Sequence, residues 1–381
     1  MSKQSKLRGL SLFANVGIAE AYMEDIGVDI KIANELLEDR ARFYADVYPK
    51  THMVQGDITD DNVRTAIVDE AIQHNVNFVI ATPPCQGMSR VGKMEEFDVR
   101  NQLIYYAVDV IKRVKPEYVL IENVTTILKT KISVNGDIML IPDYLKRELG
   151  DDYTFNKESK VKAMYYSIPQ MRLRNIYLLV RKDKNIIWEF PPHTPLVNLE
   201  EAIGHLPSID PELREGLDLT REKFPDFDKK KNEGLKISKW HRPPKHSWKL
   251  VEYMMHTPTN ESATNNPVYY PKKNNGVRVK GHYNQYRRLS WNKPCRCLTQ
   301  NNGVISSLAC VHPGRPYFKN GETLYTEPRV FTIYEIMIIS SLPLNWPIPD
   351  WANETLIRKV IGEGIPSRLI KVIMEELLKK I

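Results

Sequence analysis

The strongest constraint on this chain is a rhythm in its first 180 residues. Apolar runs of strand length stand at residues 10–14, 78–82, 118–122 and 176–180, and between them apolar residues recur with helical spacing at 18–26, 63–72 and 101–114. Strands that are apolar throughout are buried on both faces, and alternation with helices is how a parallel sheet acquires such cover. The expected architecture is therefore α/β, a parallel sheet with helices on both sides. Such a sheet gathers its strand carboxyl ends on one edge, where ligands bind.

The character changes after residue 180. Phe190-Pro191-Pro192-His193-Thr194-Pro195 reads as a hinge, and about a hundred residues rich in Lys, Arg, Asn and Pro follow with few periodic apolar segments. Helical patterning returns at 332–341 and 354–380, interrupted near Gly362-Glu363-Gly364-Ile365-Pro366. The expected division is 1–185, 186–328 and 329–381. With 381 residues, 42% of them apolar, the chain is long enough for a large core. Its net charge of +7 is uneven, since residues 221–296 hold 18 Lys and Arg against 6 Asp and Glu. A stretch of about +12 suits a polyanionic partner.

No run of eighteen apolar residues occurs, and Met1-Ser2-Lys3-Gln4-Ser5-Lys6 lacks a secretory pattern, so a cytoplasmic protein with no membrane partner is expected. Four cysteines are too few for a disulfide scaffold. Cys295, Cys297 and Cys310 lack paired C-x-x-C spacing and read as small buried residues, with no metal site.

Chemistry concentrates at the expected strand ends. Leu12-Phe13-Ala14-Asn15-Val16-Gly17 leads out of the first strand, Asn34-Glu35 ends the second, and Gly56-Asp57-Ile58 follows the third. Each alone is ordinary turn chemistry; in this order they suit a nucleoside, with Glu35 facing ribose hydroxyls and Asp57 an adenine amino group. The next strand enters Thr82-Pro83-Pro84-Cys85-Gln86-Gly87-Met88-Ser89, and another ends in Glu122-Asn123-Val124. A cysteine at a strand end is usually a core residue, but a carboxyl group at the same edge gives it an acid partner. Gln170-Met171-Arg172-Leu173-Arg174 puts two arginines on one face of a strand, either an exposed edge or a site for phosphate or a base carbonyl.

Together these residues resemble the cytosine-C5 DNA methyltransferase family in its bacterial restriction-modification form. The resemblance covers nearly the whole chain outside roughly 184–291. It rests on Phe13-Ala14-x-Val16-Gly17, Glu35, Asp57, Pro84-Cys85-Gln86, Asp98-x-Arg100-Asn101 with Leu103, and Glu122-Asn123-Val124. Gln170-x-Arg172-x-Arg174, Arg329-x-Phe331-Thr332-x-x-Glu335 and Ile361-Gly362-x-Gly364-Ile365-Pro366 complete the family order. The chain departs from the family at Asn15 and Ile18, usually glycine, at Glu363, usually asparagine, and at Gly87-Met88, usually Pro-Phe.

The resemblance implies a Rossmann-like S-adenosylmethionine-dependent methyltransferase fold with a smaller, irregular target-recognition domain. It implies S-adenosyl-L-methionine as cofactor, bound by Phe13, Asn15, Gly17, Glu35, Leu36, Asp57, Ile58, Pro84, Leu103, Glu363 and Gly364. Cys85 would be the nucleophile, Glu122 its acid partner on the ring, and Arg174 the group on O2. Arg172 would orient the site or contact phosphate. Double-stranded DNA would be the partner, met by Gln86, Ser89, Arg287 and Arg288. The basic segment, where Trp240, Trp248, Tyr253, Tyr269, Tyr270, Tyr283 and Trp291 interleave with cations, would read the target, with the last helices returning to the catalytic domain from about Asn353. A monomer working at the bacterial nucleoid beside a cognate restriction endonuclease completes the expectation. The rival readings are a tRNA cytosine-C5 methyltransferase, an amino-group methyltransferase, a nicotinamide oxidoreductase on the same fold, and a DNA-binding module without activity.

Overall fold

The computed structural model describes residues 7–84, 102–134, 136–273, 275–308 and 310–381. Cys85, Gln86 and Ser89 lie outside the described residues.

Among the described residues the first half holds β1 Leu7–Leu12, β2 Val28–Glu35, α1 Glu38–Val47, β3 His52–Gln55, α2 Asp61–Gln73, β4 Phe78–Ala81, α3 Leu103–Val114, β5 Tyr118–Asn123, a hairpin of β6 Lys131–Val134 and β7 Asp137–Leu140, α4 Ile141–Leu149, β8 Tyr153–Phe155, β9 Lys160–Lys162 and β10 Leu173–Arg181. The main sheet runs β3-β2-β1-β4-β5-β10-β8, with β9 pairing β10. The first five strands are parallel, and β10 is antiparallel to β5, Ile176 lying opposite Glu122. The fully parallel sheet expected from the sequence is thus mixed at one side. Antiparallel β10 brings its first residues, Leu173 and Arg174, to the edge where β4 and β5 end.

Every residue of β4 is buried, which is why that strand reads as unbroken apolar sequence. On one face α2, α3 and α4 cover the sheet through residues such as Ile67, Val108 and Leu145; on the other lie Leu369, Ile373 and Leu377 of α11, Ser367–Leu378. The expected helix at 18–26 is absent. Gly17 at φ 78° starts a run of i+3 turns ending in a short 3-10 turn at Glu24–Ile26, and a Cβ on Gly17 would fall 2.1 Å from the Tyr48 ring.

The remainder holds α5 Leu199–Ile203, β11 Glu212–Leu213, α6 Leu217–Lys223, α7 Phe227–Ile237, β12 Lys245–His246, α8 Trp248–Met255, β13 Pro316–Lys319, β14 Glu322–Tyr325, α9 Ile333–Ile339 and α10 Glu354–Glu363. Its strands form only two-stranded pairs. Packing on the first core continues beyond residue 185: Trp188 is buried against α11 and donates its indole N–H to the Ile373 carbonyl at 3.0 Å. A second core then joins Val16, Ile18 and Phe43 to Leu199, Leu289, Phe331 and Ile357. No helix among the described residues is long and apolar enough to cross a membrane.

Candidate active site

The loop leaving β1 is bent by three left-handed residues, Phe13 at φ 59°, Asn15 at φ 52° and Gly17 at φ 78°. Asparagine tolerates this region better than most side chains, so Asn15 can stand in a position shaped for glycine. The Glu35 carboxylate at the end of β2 ties the loop down, accepting the Asn15 amide at 2.9 Å and the Leu37 amide at 3.0 Å. Beside it Leu36 and Leu37 are 54% and 43% exposed, an apolar shelf at a sheet edge. Asp57 is exposed, with Oδ1 accepting the Thr59 amide at 2.9 Å. Ile58, expected to face the ligand, is instead a core residue with its side chain packed under the sheet.

The C-terminal half closes this cleft. Glu363, at the end of α10, pairs through Oε2 with Arg40 at 2.8 Å and accepts from Asn15 Nδ2 at 3.3 Å. Its Oε1 and the Asn15 Oδ1 are both buried without a partner among the described residues. Two acceptors lacking donors fit a ligand that brings an ammonium group, as the methionine part of S-adenosylmethionine does. Gly364 lies against Ile18, and a Cβ there would fall 2.8 Å from the isoleucine side chain. The residues present therefore fit this cofactor. Phe13, Pro84 and Leu103 are half-buried around the same edge.

Beneath the loop sits Glu20, which sequence reasoning passed over. It is 4% exposed and hydrogen-bonded by the Ser11 hydroxyl, and burial pushes its carboxyl up to about 7.

Glu122 and Arg174 meet at the carboxyl edge of β5. Arg174 Nε lies 2.8 Å from Glu122 Oε1, and both side chains are nearly enclosed, at 11% and 12% exposure. The adjacent Asn123 donates through Nδ2 to the Pro83 carbonyl at 3.0 Å while its Oδ1 accepts the Val124 amide at 2.8 Å. Thr82 donates from its hydroxyl to the Phe13 carbonyl at 3.0 Å. The turn that leads into Cys85 is thus anchored to both the cofactor loop and the Glu122 strand. Asn123 was not among the expected site residues, although its place directly after Glu122 in the motif was a usable signal.

Arg172 corrects two expectations. It is 2% exposed, so it is neither on an exposed edge nor available to phosphate. Its guanidinium donates to the carbonyls of Leu298 at 3.0 Å, Gly362 at 3.1 Å and Glu363 at 2.5 Å. It also reaches Cys297 Sγ at 3.4 Å. Main-chain bonds between Met171 and Cys295 and between Cys295 and Pro169 dock this segment beside β10. Cys297 is therefore no ordinary core thiol: burial pushes its thiol up, but Arg172 and Arg174 outweigh that and hold it below the usual range.

Arg288 is a further correction. It is fully buried and donates to the carbonyls of Met254, His312, Glu327 and Tyr325, which makes it a framework residue rather than a DNA contact. Arg287 is half-buried and binds the Tyr283 carbonyl at 3.3 Å. The aromatics of the basic segment divide similarly. Tyr253 is buried and Tyr269 stacks on His256, whereas Tyr283 is 61% exposed beneath Arg296 and Tyr270 carries Arg278 at 4.0 Å.

A buried cluster of His312, Glu327 and Glu335 has the composition of a metal site. Arg329 already supplies the cation, bridging Glu327 at 2.6 Å and Glu335 at 2.8 Å. Burial alone would raise Glu335, yet Arg329 outweighs it and holds the carboxyl down to about 2. The same carboxylate caps α9 in a box with Thr332.

Comparison with known proteins agrees with this geometry. The chain is 39% identical over 382 residues to the type II methyltransferase M1.HgaI of Avibacterium volantium, covering 99% of both chains. It is 27% identical to the Escherichia coli type II methyltransferase M.Eco47II, across 94% of this chain and 76% of that one. The solved structure of the Entamoeba histolytica methyltransferase EhMeth superposes with a TM-score of 0.59 at 15% identity, covering 99% of each chain, which shows a shared fold. The sequence profile of the C-5 cytosine-specific DNA methylases matches residues 7–379, and the chain belongs to that family.

Proposed function

We propose that this protein methylates carbon 5 of cytosine within a specific duplex DNA sequence, with Cys85 as nucleophile and Glu122 and Arg174 as the groups that hold the ring. The observation that carries this reading is the enclosed Glu122–Arg174 pair, 2.8 Å apart, beside an asparagine that anchors the turn entering Cys85.

Cytosine C5 is a weak nucleophile until a thiolate adds to C6. Addition of Cys85 places negative charge on the ring, and Glu122 stabilises it by hydrogen bonding or proton transfer at N3 and contact with the exocyclic amine. Arg174 keeps Glu122 in place through their ion pair and is the group assigned to O2 of the ring. S-adenosylmethionine, when bound, supplies an electrophilic methyl group. C5 then loses its proton and the Cys85 thiolate departs, restoring aromaticity. A base stacked in a duplex cannot enter so enclosed a site, so the target cytosine is flipped out. Arg172 acts through position, fastening the recognition segment and the end of α10 to the strand that carries Arg174.

Residues 1–185 and 329–381 are assigned to catalysis and cofactor binding and 186–328 to target recognition. The basic charge of 221–296 and its exposed aromatic and cationic groups support that assignment. Gln86, Ser89 and Arg287 are proposed DNA contacts. The reading includes a monomeric cytoplasmic enzyme whose functional counterpart is a cognate restriction endonuclease, in keeping with relatives named as type II methyltransferases. Bisulfite sequencing of DNA from cells expressing the chain tests the activity. Protection confined to cytosines in one sequence context is expected; unchanged conversion with active transfer to tRNA would overturn it.

A further inference from the structure

A groove of about 580 Å³ lies at the β9 edge of the sheet, outside the cofactor cleft and the Glu122 site. Its floor is apolar, with Val161, Tyr166, Phe190 and Leu173, the last 38% exposed. One wall is a pair of rings, Tyr165 and His193, with centroids 4.7 Å apart and planes tilted by 31°. Thr194 fixes that wall, donating its amide to the Tyr165 carbonyl at 2.8 Å, so the groove is formed before anything enters it.

The charges on its rim are unequal in availability. The Glu158 carboxylate accepts the Lys160 amide two residues on at 2.8 Å, and Glu189 accepts the Lys157 amide at 3.1 and 3.2 Å. Both acids are turned back onto the backbone. Lys157, Lys160 and Lys162 are exposed, and no carboxylate among the described residues forms an ion pair with them. Lys162 hangs over the Tyr165 ring with Nζ 5.6 Å from its centre. Cations free to turn outward above an apolar and aromatic floor match a sugar–phosphate chain, with phosphates for the ammonium groups and deoxyribose for the floor.

Position decides which chain. Pairing sets Lys162 beside Leu173 and Lys160 beside Asn175, while Arg174 takes the other face of β10 to reach Glu122. Lys162 therefore lies at the same end of the sheet as the Glu122–Arg174 pair, where the target cytosine is proposed to react. We infer that it holds the sugar–phosphate backbone of the DNA arm flanking the recognition site, a contact separate from the basic segment at 221–296. This rests on the DNA methylation reading above.

The test uses the full chain with Lys160→Gln and Lys162→Gln together, the target sequence having been mapped by methylation. One duplex ends just outside that sequence and another extends about one helical turn, roughly 10 bp, beyond it on each side. Each phosphate contact contributes about 0.9 to the salt slope. On the long duplex the double variant should bind with a slope shallower by about two, while methylation of the short duplex, affinity for S-adenosylhomocysteine and melting temperature stay at wild-type values. Tyr165→Leu, which keeps the lysines, should weaken long-duplex binding without changing the slope. Equal losses on both duplexes, or no loss on either, would overturn the inference. A wild-type protein that methylates neither duplex would instead refute the functional reading.

Discussion

Glu20 shows how one buried group sets the pH response of the cofactor loop. Its neighbours are Ser11, which donates to it, and the phenols of Tyr44 and Tyr48, and no cation among the described residues offsets its charge. Raised from 4.5 to about 7, it binds a proton more tightly folded than unfolded; stability is full below about 4.5 and is lost as pH rises to about 7. That interval corresponds to about 3 kcal/mol. Glu20→Gln should therefore raise the melting temperature clearly at pH 8 and little at pH 5, and an equal gain at both would refute the assignment. At the reacting edge, Glu122→Gln should lower kcat by roughly a hundred- to ten-thousand-fold with DNA affinity nearly kept, read by single-turnover methylation. Glu122 and Arg174 were legible because their motifs name both partners. Arg288 was taken for a DNA contact and phosphate was left open for Arg172 beside orientation, because a basic side chain looks the same in sequence whether it meets phosphate or main-chain carbonyls. Burial, decided by distant segments, makes the difference.

Elements show where local pattern suffices and where it does not. The strands β4 and β5 and the helices α2 and α3 sit close to where periodicity put them, because a doubly covered strand and an amphipathic helix encode their own burial. Residues 18–26 carry a helical pattern yet form turns, since Gly17 opens them in the left-handed region, packed too close to Tyr48 for any Cβ, and Glu20 is drawn inward to Ser11. Antiparallel β10 was equally hidden, because pairing direction leaves no mark on an apolar run. The Asn123 bond to Pro83 links two elements that meet only in the fold. Asn123→Ala should cut kcat while leaving the dissociation constant for S-adenosylhomocysteine within about twofold, measured by calorimetry. A parallel loss of cofactor affinity would show that the asparagine serves the fold at large.

At the scale of the whole molecule, three parts of the chain converge on one edge. The sheet gathers Glu35, Pro84 and Glu122 there, β10 adds Arg174, and the C-terminal half returns Glu363 to close the cofactor side. The segment proposed for recognition is not a detachable module, for Leu199 and Leu289 share a core with Val16 and Phe43. Removing 184–291 would open that core, so recognition is better probed by salt. Binding should weaken steeply as salt rises, because a segment of about +12 releases counterions when it meets phosphates; a flat response in a filter-binding titration would detach the basic segment from DNA. Covalent addition of Cys85 to the target ring is the step on which the proposed reaction depends. Fluorine at C5 cannot leave as a proton does, so duplex DNA with 5-fluorocytosine in the recognition site should trap the wild-type enzyme in the presence of S-adenosylmethionine. A denaturation-resistant complex whose peptide contains Cys85, absent with Cys85→Ser, is the predicted result. An enzyme that methylates ordinary DNA yet leaves no such complex, or one crosslinked through Cys297, would contradict the account.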